Sequence, residues 1–490
     1  MSTKERLYTS TRARLAYPSK RCIAKGISED GGLFIPLDFD GFELSEDDVT
    51  LPYEEIAYKV FSFFLTDFGE DELKEVISKA YKEGNFKKDV IKVIPFGNAS
   101  FLELYHGPTF AFKDMALTAL PHLLERSLEY MPNGKKPLIL TATSGDTGGA
   151  ALSGFYNASQ TEVVVLYPTF GVSSFQRKQM HYYENEHCHV FAVEGNFDDC
   201  QTLVKKVFAY SLDLKKYSLS SANSINIGRL IPQVAYYFAS YLELANKGEI
   251  EYGTKVNYVV PTGNFGNILA CYIAKRMGLF IDRIVCASNQ NNVLTDFFET
   301  GIYDSNRHFY VTDSPAMDIL VSSNLERLLY LASDGDAPLI AKYMEELKKT
   351  GRFRVSEEIR NNLTDFIPVY IDNEETIKGI RDCYERHPYL IDPHTSVAYG
   401  GYRKVKEELV GHTIIVSTAS PYKFISAMAK AFKISGSEER IADYLDTLTD
   451  MKAPALFRTI LSSEYKATVW KKMEMEEKLF SFLRRIDEKR

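Results

Sequence analysis

The sequence predicts an α/β protein of two lobes, with parallel sheets flanked by helices and an N-terminal cap. Three observations lead there. At 490 residues the chain exceeds the roughly 250–300 residues at which a single hydrophobic core stops growing. From residue 137 onward, short apolar runs alternate with longer amphipathic stretches, the pattern of βα units in a parallel sheet. Two of those junctions run strand, glycine-rich loop, helix without interruption.

Runs at 136–141 (KPLILT), 162–167 (EVVVLY), 189–193, 257–261 (NYVVP), 282–287 and 413–417 read as buried strands. Helices are expected at 147–157, 173–183, 197–210, 228–244, 265–277, 316–331 and 425–432. Residues 1–95 form the cap, with the helical LPYEEIAYKVFSFFL and a polar stretch at 83–86 that precedes the strand-like VIKVIPF (90–96). Residues 96–250 make the first lobe, 251–432 the second, and 433–490 a helical extension. Its charged end, MEMEEKLFSFLRRIDEKR, suits a solvated helix or an oligomer contact. There is no internal repeat or low-complexity tract.

Composition excludes several function classes. With 58 basic and 66 acidic residues the net charge is −8, which gives no diffuse attraction for nucleic acid or an anionic membrane. An anionic substrate must therefore be held by local groups. No apolar run approaches the roughly 20 residues that span a bilayer. Arg6, Arg12 and Arg14 among hydroxyls give the start a slight transit-peptide character, but Glu5 and the folded-looking sequence beyond oppose it, and a cytoplasmic location is expected. Six cysteines without CxxC spacing are expected to be reduced. His181, His187, Cys188 and His189 lack the spacing of a zinc site, so no metal is expected.

Three features carry the chemistry. In HGPTFAFKD, a Gly-Pro turn leads into a helix bearing Lys113 beside aromatics. Burial there would lower the amine's pKa, as a Schiff-base nucleophile requires. The loop TATSGDTGG (141–149), between strand and helix, offers hydroxyls and N–H groups to a carboxylate or phosphate. PTGNFGN (261–267) repeats that geometry and is neither a P-loop nor GxGxxG. Singly, these also read as a surface lysine and two capped turns. Together, one lysine, one carboxylate loop and one phosphate loop meet the needs of a pyridoxal-phosphate site.

The chain resembles the threonine synthases of the longer microbial and fungal branch, fold type II (tryptophan-synthase-β-like) pyridoxal-phosphate enzymes, nearly end to end. The matching segments are STR at 10–12, GISEDGGLFIP at 26–36, the lysine segment, SGDTG at 144–148, SINIGRLIPQ and PTGNFGN, followed by SNQNNVLTDFF, SPAMDILVSSNLERL, DPHTSVA and STASPYKF. The resemblance implies that Lys113 carries pyridoxal 5′-phosphate as a Schiff base. It makes Gly263, Asn264, Phe265, Gly266 and Asn267 the phosphate cup and puts the Thr418 hydroxyl near the pyridine nitrogen. Ser144, Gly145, Asp146 and Thr147 would receive the substrate carboxylate. One departure is Ser420, where the commoner TAHPAKF form has histidine, which puts in doubt any role of that side chain.

The implied reaction converts O-phospho-L-homoserine and water to L-threonine and phosphate, with Lys113 also serving as acid and base. Ser173 and Arg177, at the start of a helix, are candidates for the substrate phosphate, or are solvated helix residues. Arg229 suits a structural salt bridge better, and His106 and His394 suit packing and hydrogen bonding. Alternatives are a phospholyase releasing 2-oxobutyrate, a serine or threonine dehydratase, or a non-catalytic binding protein. The expected partner is a small molecule, on a monomer or homodimer.

Overall fold

The computed structural model describes residues 5–82, 84–86, 89–209 and 214–488. Glu83 of the expected polar stretch and Tyr210 of the expected 197–210 helix lie outside them.

Two sheets organise the chain. The larger has six strands in the spatial order Phe366–Tyr370, Ile281–Ser288, Val256–Pro261, Thr413–Ser417, Ala99–Glu103 and Lys92–Phe96. All neighbours are parallel except the last pair, a hairpin. The smaller has five parallel strands in the order Thr468–Lys471, Cys188–Glu194, Glu162–Pro168, Lys136–Ala142 and Tyr217–Ser220. Every residue of Glu162–Pro168 is buried, as a strand covered on both faces must be, and its β-branched run suits that setting.

The expected boundary at residue 96 falls inside the Lys92–Phe96/Ala99–Glu103 hairpin, which belongs wholly to the larger sheet. Residues 433–490 also differ from a purely helical extension. Strand Thr468–Lys471 joins the edge of the smaller sheet, and helix Met475–Glu488 buries Leu479, Phe482, Leu483 and Ile486 in the core beside it. The charged tail is thus amphipathic, with its apolar stripe spent inside the molecule.

The expected 316–331 helix is broken. A 3₁₀ turn at Pro315–Met317 and the helix Leu325–Ala332 are separated by a loop. Its polar residues bond outward to a glycine loop rather than along a helix, the competition that short polar side chains set up against helical hydrogen bonding. Helix Ile227–Asn246 spans 20 residues, is buried along nearly all of them, and is capped by Asn226, which accepts from Gly228 N–H.

The N-terminal cap shares one continuous core with the rest. The STR motif joins it to helix Leu325–Ala332, because Arg12 grips Glu326 through two bonds of 2.8 and 2.7 Å and Thr11 adds another of 2.5 Å. Arg327, fully buried, donates to the carbonyls of Phe34 and Ile225. All six cysteines are buried thiols. No helix among the described residues is long and apolar enough to cross a membrane.

Candidate active site

The site forms where parallel strands of the larger sheet end, the usual ligand edge of an open α/β sheet. Past Ala99–Glu103, the 104–113 segment lies along the residues that follow the neighbouring strand Thr413–Ser417. Phe112 N–H donates to Thr418 O at 2.8 Å, Ser420 N–H donates to Phe110 O at 3.0 Å, and Ala111 bridges Ala419. Phe110 adopts φ 60°, a left-handed conformation that costs a phenylalanine about 1–2 kcal/mol and that these bonds hold in place. Asp114 closes the turn by accepting from Thr109 N–H at 2.8 Å and Thr109 Oγ1 at 2.5 Å. A Cβ on Gly107 would lie 2.6 Å from that aspartate. Burial pushes the Asp114 carboxyl up to about 6, against the pull of Thr109.

Lys113 is 9% exposed, and its Nζ lies 3.3 Å from Asp146 Oδ2. Burial lowers its proton affinity, opposed by Asp146 and reinforced by the charges of Lys423 and Arg229.

Asp146 starts the helix Asp146–Phe155, after strand Lys136–Ala142. The Thr143 hydroxyl accepts from the N–H groups of Gly145 and Gly148, both at 2.9 Å, and folds the loop back onto itself. Gly145 has φ 130°, and a Cβ there would meet Gln176 at 2.5 Å. The N–H groups of Ser144, Asp146 and Thr147 donate to no described acceptor. Both oxygens of the Asp146 side chain are engaged by neighbouring side chains, Oδ2 by Lys113. Its Oδ1 accepts from Gln176 Nε2 at 2.9 Å and lies 3.2 Å from Lys423 Nζ. Although burial opposes its charge, Lys423 and Lys113 hold its pKa far below the carboxylate range. Neither Lys423 nor Thr143 stood out as a site residue in the sequence, although Lys423 lies within the STASPYKF match.

Ser173 caps the helix Ser174–Tyr182, accepting from Gln176 N–H and donating to Gln176 Oε1 at 3.0 Å. Arg177 is half-buried, and its Nε is buried without a described partner. The salt bridge expected for Arg229 is absent among the described residues. This buried guanidinium donates to Ala222 O at 2.8 Å, its Nε has no partner among the described residues, and burial lowers its pKa to about 10.

The second loop is built of main chain. Gly263 to Asn267 follow strand Val256–Pro261, and helix Gly266–Arg276 begins within them. Phe265 takes φ 63° and buries its ring against Phe298 and Phe366. A Cβ on Gly263 would come within 2.8 Å of Ala316 O. Three carbonyls are tied from behind, Gly263 O by Ser322 Oγ at 2.7 Å, Asn264 O by Asn324 N at 3.1 Å and Nδ2 at 3.0 Å, and Asn267 O by Tyr237 at 2.9 Å. No N–H from 263 to 267 donates to a described acceptor. Five free donors at a helix N-terminus fit a phosphate.

Thr418, 5% exposed, follows strand Thr413–Ser417, which pairs with Val256–Pro261. Ser420 stands at the N-terminal boundary of the 3₁₀ turn Pro421–Phe424, where its carbonyl accepts from Lys423 N–H at 3.0 Å and its side chain makes no capping bond. His394 bonds Asp392 at 2.6 Å and accepts from Ala316 N–H, and His106 bonds Glu103 at 3.0 Å. His187 and His189 both turn to Glu162, and His181 pairs with Glu184 and Tyr167.

Residues 101–420 match the family described as pyridoxal-phosphate dependent enzyme, and residues 7–81 match the threonine synthase N terminus. The chain is 38% identical over 461 residues to threonine synthase of Schizosaccharomyces pombe, covering 86% of this chain and 88% of that one. It is 38% identical over 461 residues to threonine synthase-like 1 of Homo sapiens, covering 90% of this chain and 61% of the relative. A pyridoxal-phosphate-bound threonine synthase structure from Brucella melitensis superposes with a TM-score of 0.86 at 33% identity, over 99% of this chain and 100% of that one. With a buried lysine, an anion cradle and family matches over residues 7–81 and 101–420, this protein belongs to the threonine synthase family of fold type II pyridoxal-phosphate enzymes.

Proposed function

We propose that the chain converts O-phospho-L-homoserine and water to L-threonine and phosphate. One observation carries this reading: Lys113 is a buried amine of lowered proton affinity, held on the same sheet rim as an uncharged anion cradle. Bound through Lys113, pyridoxal phosphate supplies an electron sink that lets carbon–hydrogen bonds near the substrate nitrogen ionise.

The chain's own groups do the rest. The N–H groups of Gly263, Asn264, Phe265, Gly266 and Asn267 would hold the cofactor phosphate. Thr418 would stand at the ring nitrogen, where a neutral hydroxyl leaves that nitrogen largely unprotonated. The free N–H groups of Ser144, Asp146 and Thr147, with the Ser144 and Thr147 hydroxyls, would bind the substrate carboxylate, while the Asp146 carboxylate stays paired with lysines. Arg177 is the better candidate for the substrate phosphate, since Ser173 already bonds Gln176 on both sides of its hydroxyl.

With substrate bound, the Lys113 amine would remove the Cα proton and then one from Cβ, phosphate would leave Cγ, and the amine would return protons to the carbon skeleton. Water then adds at Cβ. Burial lowers the proton affinity of Lys113, which favours the neutral amine that must accept these protons. Purified protein given O-phospho-L-homoserine should release threonine and phosphate in equal amounts. Production of 2-oxobutyrate without threonine would identify a phospholyase and overturn the reading.

A further inference from the structure

Lys423 is 1% exposed, yet no solvent-facing role explains it. Its Nζ has three neighbours, Thr109 O at 2.7 Å, Gln179 Oε1 at 3.1 Å and Asp146 Oδ1 at 3.2 Å. All three are acceptors, and an ammonium has three N–H donors to match them. A neutral amine would turn its lone pair on one of them. Lys113 is held differently, by Asp146 Oδ2 at 3.3 Å and by the Phe112 ring, with Nζ 4.9 Å from the centroid. Asp146 thus bridges a firmly seated ammonium and a loosely held one, through different oxygens.

The three are fixed relative to one another. Lys423 sits in the turn Pro421–Phe424, directly after the residues whose main chain pairs with Phe110 and Phe112. Gln176 fixes Asp146 from helix Ser174–Tyr182. The other charged or titratable groups acting here are Arg229 on Lys113, His394 on Asp146 and Asp114 with Lys423.

We propose that Lys423 is a positioning residue whose fixed positive charge keeps Asp146 ionised while Lys113 alternates between its charged and neutral forms. Without it, Asp146 would face a neutral Lys113 as an unpaired buried carboxylate, which is strongly unfavourable. Lys113 would then keep its proton to satisfy Asp146 and lose nucleophilicity. The inference rests on the assignment of Lys113 as the cofactor-binding amine.

The test follows the pH at which cofactor-stripped, full-length protein captures added pyridoxal 5′-phosphate at half its maximal rate, read from the absorbance of the Lys113 Schiff base. Lys423→Met should raise that midpoint by about one pH unit or more, since a repelling charge is lost and Asp146 is left to Lys113 alone. Asp146→Asn should lower it by a similar amount, and Lys423→Arg should stay near wild type. A merely structural lysine would slow capture at every pH without moving the midpoint, and that result overturns the proposal. If Lys423→Met does not fold, Asp146→Asn decides, and a midpoint that stays or rises sinks the idea. Wild-type protein that forms the Schiff base but makes no threonine refutes the proposed reaction and leaves this inference standing.

Discussion

The two glycine loops look alike in sequence and in backbone, each running from a parallel strand into a helix N-terminus, yet they are wired oppositely. Residues 263–267 contain no ionisable side chain, and neutral donors pin their carbonyls from behind. Residues 144–147 place a buried carboxylate between two lysines. A cofactor phosphate keeps its charge throughout a turnover, so a rigid cradle of backbone dipoles serves it. A lysine that gains and loses a proton needs neighbours that stay satisfied in both states, and only fixed charges provide that. On the proposed assignments, the same local geometry supports a static task at one loop and a titrating one at the other.

The largest effect should come from the titrating side. Lys113→Ala should abolish the Schiff-base absorbance and lower threonine formation by on the order of 10³-fold or more, measured by product analysis. Next, alanine at one glycine of each loop should separate their tasks. Gly263→Ala, whose Cβ would lie 2.8 Å from Ala316 O, should weaken cofactor binding about tenfold or more, read by spectral titration. Gly145→Ala, strained at φ 130° and 2.5 Å from Gln176, should keep the cofactor and lose kcat/KM instead. If both lose cofactor equally, the contrast between the loops fails.

Stability should depend on pH at the turn carrying Lys113. Asp114 has a folded-state pKa raised from 3.8 to about 6, so the folded chain binds this proton more tightly than the unfolded one. Its contribution is therefore lost as pH rises from about 4 to about 6 and is flat above. The span is about 3 kcal/mol at about 1.4 kcal/mol per pH unit. Denaturant unfolding of wild type and Asp114→Asn should show their stability difference changing across that window, and a constant difference would refute the assignment. The smallest effect belongs to the static loop. Ser322→Ala removes one neutral hydrogen bond, worth about 1 kcal/mol, so cofactor affinity should fall about fivefold with no change in the pH midpoint of capture.

Much of this was legible in the chain. The runs at 136–141, 162–167 and 413–417 fall within or coincide with strands because residues buried on both faces leave an unbroken apolar signature. Helix 425–432 was legible to the residue. The break in 316–331 was not, because Ser322 and Asn324 bond to carbonyls about 60 residues earlier, and no local pattern records such partners. The same is true of strand Thr468–Lys471, four residues that join a sheet edge formed by Cys188–Glu194. Arg229 was misread for a related reason, since a buried guanidinium whose described bond goes to a main-chain carbonyl looks in sequence like any other arginine.

The sequence by itself determined the alternation of strand and helix, the two glycine loops and the candidate lysine, because periodicity, turn chemistry and residue type are local properties. Only the tertiary structure decided which charges meet. Lys423 reaches Thr109 across 314 residues and shares Asp146 with Lys113, and Coulomb interactions follow distance in space, not separation along the chain.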